Sequence, residues 1–396
     1  MRGMVASAYV SFAAFGAFWG VWGASVPRVR DQAGIGDGEL GFALLFVGAG
    51  ALPAMLLVGK ALDRWGPRVA ALVIGALGAV GALLVLAAVD LASLCAGLAL
   101  VGATSGAADV AINAVAGRAE QLAGRPVITR AHGVFSSLVV LGSLATGVAS
   151  GASLPLAAPF LAVAVLSVIA GAAMLKTLPA GAVTHRSDRV ATPPAGSWRI
   201  VPFLLVGVLG ALAFASENAH QSWSAVFAHD ELHAGVGRSA VAPAVFAAVV
   251  AVTRFAAGGL PSAHARTVLL AGAFAAAAGT ALIAAAPGLL VAGLGLAVAA
   301  AGTAVLFPTL VGVVSRNVDE SHRGRATSVV TTVSYLGFLL GPVYVGLWAD
   351  AVGLRGAMLA VAALAVGLLV LTRPLLRLTG FGRSAAFPVR GEQPVA

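Results

Sequence analysis

The stretch GKALDRWGPR, residues 59–68, lies between two long apolar runs and has the composition of a short turn at a membrane surface. Gly66 permits a tight bend, and Gly59 lets the preceding run end close to a neighbouring helix. Asp63 can accept hydrogen bonds from the N-terminal end of a nearby helix. The two arginines of the stretch hold the turn on the cytoplasmic side. The alternative is an ordinary basic turn that serves only to orient the chain.

Composition extends this membrane interpretation to the whole chain. Of the 396 residues, 60% are hydrophobic and only 10% are charged, and the mean hydropathy is +0.98. A soluble domain carries charge on about a quarter of its residues, so the apolar surface of this chain must face lipid. We predict an all-α membrane protein with twelve apolar runs of about 17–25 residues, each long enough to cross a bilayer as a helix. The predicted spans lie near residues 4–26, 39–59, 69–89, 91–117, 131–153, 155–175, 199–223, 239–258, 266–286, 288–314, 326–349 and 353–373.

The basic residues predict how the chain is oriented. The net charge of +9 comes from residues in the short connections between apolar runs, a distribution that sets membrane topology and does not indicate nucleic-acid binding. With both termini in the cytoplasm, all but four of the 24 Lys and Arg residues fall on the inside. The exceptions are Arg28, Arg30, Arg238 and Arg355. We therefore predict a multi-pass protein of the cell (inner) membrane with both termini cytoplasmic.

Residues that carry catalysis or bind metals are not evident in the sequence. The single cysteine, Cys95, lies inside an apolar run, which excludes a disulfide framework or a cysteine metal cluster. The sequence contains no phosphate-binding loop and no nucleophile paired with a base. We therefore expect no catalytic residue, no metal and no cofactor, and we do not expect an enzyme.

A long polar connection and an internal repeat divide the chain into two halves. Trp22 and Trp223, and likewise Gly142 and Gly337, occupy equivalent positions when the halves are aligned in parallel. Such duplication is typical of transporters, and chance similarity in a glycine- and alanine-rich chain is the alternative. The predicted units are a six-helix bundle at 1–177, a cytoplasmic linker at 178–198, a second six-helix bundle at 199–374 and a disordered cytoplasmic tail at 375–396.

The stretch at 59–68 closely resembles the G-x-L-A-D-R-x-G-R-[KR] signature of the major facilitator superfamily. The resemblance implies twelve spans in two parallel six-helix bundles, joined by a long central loop. In that family the aspartate of the motif helps to latch the two halves in the outward-facing state. The residues that inherit the latch by resemblance are Gly59, Asp63, Arg64, Gly66 and Arg68. The equivalent loop of the second half, residues 254–262, lacks the D-R-x-G core, so the resemblance does not extend to a second latch.

Four further stretches are similar to the bacterial YbjJ-type branch, which lies nearer the fucose-type sugar permeases than the main drug exporters. They are residues 109–114, 130–137, 217–225 and 335–342. The last of them contains Gly337, Gly341 and Pro342, which resemble the glycine–proline bend that some exporters carry in span five. Because they lie in span eleven, we interpret them as a hinge and not as evidence of export.

Asp109 is the most deeply placed charge of the first half, about eight residues from the inner end of span four. Charges at this depth are costly and usually face the interior of the bundle. Asn113 lies one turn further on the same helix face, and His132 begins span five at a similar depth. The three residues predict a polar cluster that exchanges a proton or binds a cationic or hydroxylated substrate. The alternatives are a structural hydrogen bond from Asp109 to a neighbouring helix and, for His132, a helix start near the headgroups.

Span seven carries a second polar group near its predicted outer end. Glu217 and Gln221 share one face and predict the lining of an outward-facing vestibule, with Glu217 as a proton or substrate ligand. The alternative is a helix end in the headgroup region, where polar groups cost little. We predict that Trp19 stacks on a sugar or aromatic ring, that Trp22 anchors the interface, and that Arg254 snorkels at the end of span eight. The complete set of predicted pathway residues is Trp19, Asp109, Asn113, His132, Glu217, Asn218, Gln221 and Tyr335.

The sequence therefore predicts a secondary active transporter that moves a small organic solute by alternating access. We expect protons to be the coupling ion, with Asp109 and Glu217 as the candidate carriers, and we expect a monomer in the lipid bilayer. A proton-driven exporter of drug-like compounds and a sugar-type importer are both open. A membrane scaffold without transport is the alternative from another class, and the short loops disfavour it.

Overall fold

The computed structural model describes residues 2–179, 200–257, 264–318 and 320–381. This part of the chain is helical throughout and contains no strand. Its helices are α1 (Arg2–Ala33), α2 (Asp37–Trp65), α3 (Arg68–Ala87), α4 (Leu91–Ala123), α5 (Ile128–Gly151), α6 (Ala157–Thr177), α7 (Val201–Asp230), α8 (Val236–Ser239), α9 (Val241–Ala257), α10 (Ala265–Ala284), α11 (Leu289–Ala304), α12 (Leu306–Arg316) and α13 (Glu320–Leu378). Nearly all of the predicted linker and most of the predicted tail lie outside the described residues.

The number of membrane crossings follows from these helices. The described residues form 11 segments long and apolar enough to cross a membrane, with α8 continuing into α9 and α11 into α12. The last segment has 54 residues and so is about 80 Å long, far more than the roughly 30 Å of hydrocarbon in a bilayer. It breaks at Gly353, which has a φ of 78°, and therefore crosses twice. The twelve spans of the sequence analysis are confirmed; we call residues 320–352 α13N and residues 354–378 α13C.

Individual glycine and capping residues mark where several of these helices end or begin. Gly66 ends α2 with a φ of 76°, and Gly124 ends α4 in the left-handed conformation, both of which glycine adopts without steric strain. Asp90 begins α4 as its N-cap, because its carboxylate accepts the backbone N–H of Ser93 at 2.8 Å. The connections are therefore short, and consecutive spans run antiparallel.

Two helices extend well beyond the predicted spans. Helix α1 continues to Ala33 and α7 to Asp230, each seven residues past the end that the apolar runs indicate. Charged residues interrupt the apolar runs there, but they have partners outside the hydrocarbon and do not end the helix. As a result Trp22 lies well inside its span and is only 5% exposed. The prediction that Trp22 is an interfacial anchor is wrong.

The two halves repeat one packing scheme. In the first half α1 packs on α5, α2 on α4 and α3 on α6; in the second half α7 packs on α13, α9 on α11 and α10 on α13. The same order of contacts in both halves is what a parallel duplication predicts. Following the predicted orientation, we call the face with the α1–α2, α5–α6 and α13N–α13C connections the outer face and the opposite one the inner face.

Glycines bring the paired helices into close contact. A Cβ at Gly20 of α1 would collide with the carbonyl oxygen of Val139 in α5, and a Cβ at Gly337 of α13N would collide with that of Ala211 in α7. Small residues serve this purpose at helix interfaces in membranes. The hinge predicted at residues 337–342 is a close-packed, unbroken helix in this conformation, and the break in α13 lies at Gly353.

The orientation can be tested by fusing reporters to the connections. A fluorescent protein that matures only in the cytoplasm should give signal at the C-terminus or in the central connection and none at Gly36 or Gly353. The reason is the concentration of Lys and Arg on the inner face. The reversed pattern would contradict the predicted orientation.

Candidate functional site

Four predicted pathway residues lie at the middle of their spans. Trp19 in α1, Asp109 in α4, Glu217 in α7 and Tyr335 in α13N are each within about two residues of the helix centre. Helices that cross a bilayer place their centres near its midplane. Asp109 and Glu217 are therefore deeper than the sequence indicated. The alternative that places Glu217 among the headgroups is wrong, because α7 continues for 13 residues beyond it.

Asp109 and Asn113 form a hydrogen-bonded pair. The side-chain amide of Asn113 donates to the Asp109 carboxylate at 3.1 Å and to the Asp109 carbonyl oxygen at 2.9 Å. The pair confirms that the two residues share a helix face. Tyr335 of the second half lies within electrostatic range of the carboxylate. The Asp109 carboxylate is therefore near enough to the second half for its charge to act on Tyr335.

Glu217 forms an ion pair that the sequence analysis missed. The guanidinium of Arg254 in α9 donates to the Glu217 carboxylate at 2.8 Å and to the Ala304 carbonyl oxygen at 3.3 Å. Arg254 therefore does not snorkel towards the headgroups, and that prediction is wrong. The guanidinium lies near mid-span, because Glu217 is near the centre of α7 and Ala304 is near the centre of the Leu289–Arg316 span. The Arg254 side chain is 46% exposed, so the pair is accessible from one side.

His132 lies apart from the Asp109–Asn113 pair. Its ring packs edge-on against Phe12 at 4.8 Å between ring centroids. Its imidazole is exposed and lies within electrostatic range of Arg254, across the interface between the halves. Among the described residues it shares no hydrogen bond with Asp109 or Asn113. The predicted three-residue cluster is therefore a pair, with His132 closer to the inner face.

The polar residues of α7 divide into two kinds. Asn218 is 6% exposed, and its amide donates to the Phe338 carbonyl oxygen at 2.6 Å, which ties α7 to α13N. His220 is 1% exposed and its ring bonds Ser216 and Thr280 within the second half. Gln221 is exposed and has no hydrogen bond among the described residues. Of these three, Gln221 is the one free to meet a solute.

Aromatic side chains lie at the same depth in the membrane as Asp109 and Glu217. Phe214 stacks on Phe307 at 4.2 Å between centroids and meets Tyr335 edge-on at 5.6 Å. In the first half Trp19 packs edge-on against Phe18 at 5.5 Å. Of this group, Tyr335 and Trp19 are predicted from the sequence as pathway residues, and the phenylalanines are not. Phe214 could have been predicted from its spacing, because it lies one helical turn from the polar residues of α7, a helix central to its half.

The outer face is closed by contacts between the halves. Arg30 of α1 binds Asp37 at 2.6 Å within its own half and Asp230 of α7 at 2.5 Å across the interface. Beside this ion cluster, the backbone N–H of Gly38 donates to the Asp350 carboxylate of α13N at 2.9 Å. Four outer helix ends are thereby held together.

The motif at residues 59–68 forms no hydrogen bond or ion pair with the described residues of the second half. Asp63 is exposed and forms no hydrogen bond or ion pair with any residue that the structure describes. Arg64 stacks over its neighbour Trp65 at 5.6 Å. Arg68 donates to the Leu178 carbonyl oxygen at 3.1 Å, which is in the first half. The outer contacts are thus formed, whereas Asp63 has no partner in the described part of the chain.

Comparisons with known proteins agree with this architecture. The family model of the Major Facilitator Superfamily matches residues 8–294 and 262–391. The chain is 27% identical to an uncharacterized MFS-type transporter of Yersinia pestis, over 88% of each chain. It superimposes on the nucleoside transporter NupG with a TM-score of 0.77 and 16% identity, over 95% of this chain and 100% of that one. It also superimposes on an inward-facing, unoccupied bacterial homologue of the human lysosomal transporter Spinster. The TM-score is 0.76 and the identity 16%, over 97% of this chain and 98% of that one.

Twelve helices in two repeated halves, with polar side chains at mid-span between them, define a multi-pass membrane transporter. The chain belongs to the major facilitator superfamily. Members of this family are transporters and not enzymes, and membership implies a small-molecule substrate.

Proposed function

We propose that this protein is a proton-coupled secondary transporter that carries a small organic solute across the cell membrane by alternating access. The observation that supports it best is the pair of mid-span carboxylates, Asp109 and Glu217, one in each half. Carboxylates inside a membrane are costly and commonly mark proton or substrate pathways. We further propose a monomer of the inner membrane with both termini in the cytoplasm.

The contacts between the halves suggest how access alternates. The formed outer ion cluster, together with the lack of a described partner for Asp63, supports an inward-facing state. In the outward-facing state the Arg30–Asp230 contact breaks and the motif at 59–68 engages the second half. The carboxylate of Asp109 is then accessible to protons from each side of the membrane in turn. Proton uptake on one side and release on the other follow from that exchange.

Asp109 is the preferred proton carrier because its described hydrogen bonds leave it free to change charge. Asn113 can donate to the carboxylate or, after its amide turns, accept from the protonated acid. Glu217 is instead paired with Arg254 at 2.8 Å, and protonating it would leave a mid-span guanidinium without its counter-charge. Glu217 is the second candidate, and it becomes the first if Asp109 proves structural.

The aromatic lining favours a substrate that presents a ring face or hydroxyl groups. Trp19, Phe214 and Tyr335 lie at the depth of the carboxylates, and Gln221 is available to hydrogen-bond a polar group. This lining supports the resemblance to the YbjJ-type branch on the fucose-permease side of the superfamily. Export of drug-like compounds is the competing function.

Uptake and efflux assays with a panel of labelled compounds separate these functions. A deletion strain that carries the cloned chain should accumulate a hydroxylated solute in a manner that a protonophore abolishes. If the strain instead lowers its content of aromatic or cationic compounds, the protein is an exporter. Equal content with and without the chain, for every compound, would contradict transport of these classes.

Asp63→Asn tests the inner latch. We expect normal expression but slower transport, because the amide loses a charge interaction with a helix N-terminus in the outward-facing state, worth about 1 kcal/mol or roughly fivefold in population. Substrate affinity should be unchanged in equilibrium binding, and labelling of inner-face cysteines should increase. If affinity falls while the labelling stays constant, Asp63 belongs to the binding site and not to a latch.

A further inference from the structure

A cavity of about 220 Å³ lies at the outer end of the second half, and every residue that lines it belongs to that half. Residues of α7, α8, α9, α10, α11 and α13C line it. Its walls are almost entirely apolar, and Phe227, Leu296 and Met358 among them are each no more than 3% exposed. Apolar protein cavities of about 150 Å³ already bind benzene. The space therefore suits several methylene groups of a hydrocarbon chain.

The equivalent position in the first half has no such empty space. Gly97 of α4 and Gly293 of α11 are counterparts in the two halves. A Cβ at Gly97 would collide with the Leu84 side chain of α3, whereas a Cβ at Gly293 meets open space. In the first half a side chain thus fills the space beside the glycine, whereas in the second half that space is empty. The cavity is therefore a feature of the second half and not of the repeat.

Two polar groups and an apolar rim indicate what enters the cavity. Arg238 borders it and is exposed, and its guanidinium has no hydrogen bond or ion pair among the described residues. Ser224 also lines it, and its buried hydroxyl has no partner in the described part of the chain. Val241 of the lining is 46% exposed, and Leu290, next to the lining residue Leu289, is 78% exposed. Exposed apolar side chains on membrane-crossing helices contact lipid, so lipid surrounds this edge of the cavity.

We propose that the cavity is a binding site for an anionic phospholipid of the outer leaflet. One acyl chain occupies the apolar interior, and the headgroup phosphate pairs with Arg238. The Ser224 hydroxyl donates to an ester carbonyl oxygen where the chain joins the glycerol. A zwitterionic lipid offers the same chain but no net charge, so the site prefers an anionic headgroup.

Photolabelling in nanodiscs tests the site. The full chain is reconstituted with phosphatidylglycerol or phosphatidylcholine that carries a photoactivatable acyl chain, and labelled peptides are mapped by mass spectrometry. We expect labels on α7 and α11 residues that line the cavity, about fivefold stronger for phosphatidylglycerol, as one basic residue near an anionic lipid provides. Equal labelling by the two lipids, or labelling elsewhere only, would overturn the proposal.

Three variants make the test specific. Gly293→Leu fills the cavity and should remove the labels on its walls. Gly367→Leu is the matched control, because Gly367 also faces open space but lies away from the cavity, and it should label like the native chain. Arg238→Ala alters an exposed side chain and should reduce phosphatidylglycerol labelling to the phosphatidylcholine level. It decides the proposal even if Gly293→Leu folds poorly; an undiminished preference for phosphatidylglycerol would refute it.

Discussion

Asp109→Asn is expected to abolish accumulation of solute under a proton gradient while leaving exchange of labelled for unlabelled solute intact. Asparagine keeps the size and the hydrogen-bonding capacity of the site, so Asn113 retains a partner one turn away. It cannot take up or release a proton. Exchange needs no net proton movement, whereas accumulation does. Proteoliposomes with an imposed pH gradient measure both activities on the same preparation.

The matched control is Asp90→Asn. Asp90 is an exposed carboxylate that caps α4, and asparagine caps a helix about as well. This variant should accumulate solute like the native protein. If Asp109→Asn still accumulates solute under the gradient, Asp109 is structural. The same experiment on Glu217→Gln would then decide whether the second carboxylate is the carrier.

Arg30→Ala is expected to shift the protein strongly towards the outward-facing state. The guanidinium of Arg30 is only 12% exposed and joins Asp37 of its own half to Asp230 of the other. Hydrogen bonds to charged groups are worth about 1.5–3 kcal/mol, so the loss changes the ratio of the two states roughly tenfold to hundredfold. Solvent accessibility of cysteines placed near the outer ends of α1 and α7 measures the shift.

Arg28→Ala separates this effect from a general loss of positive charge. Arg28 lies two residues earlier on the same helix, and its guanidinium donates to Ser150 and Leu154, both in the first half. Its removal breaks no contact between the halves, so the balance of states should stay native. An equal shift in both variants would show that the outer charges act through the field at the membrane surface.

The apolar runs and the glycines predict much of the fold. Twelve spans follow from run length, because a helix has to match the hydrocarbon thickness. The Asp109–Asn113 pair follows from spacing alone, because residues four apart share a helix face. These features are local, and one sequence contains all the information they need.

Features that depend on how helices approach each other were not predictable in the same way. The Glu217–Arg254 pair joins residues 37 positions apart, and the apolar runs misplaced Glu217 because charged residues do not end α7. The ion cluster of Arg30, Asp37 and Asp230 exists only when the outer ends of the two halves meet. The role of Trp22 was mistaken for a related reason, because its depth depends on where α1 ends.

Distances between spin labels show whether the two halves rock around the mid-span carboxylates. Replacing the single cysteine, Cys95, by alanine provides the background. One label pair at Val89 and Val352 spans the outer face, and another at Arg125 and Asn317 spans the inner face. In proteoliposomes Arg30→Ala should lengthen the outer distance and shorten the inner one. If both distances change in the same direction, or neither changes while transport continues, the two halves do not alternate access in this way.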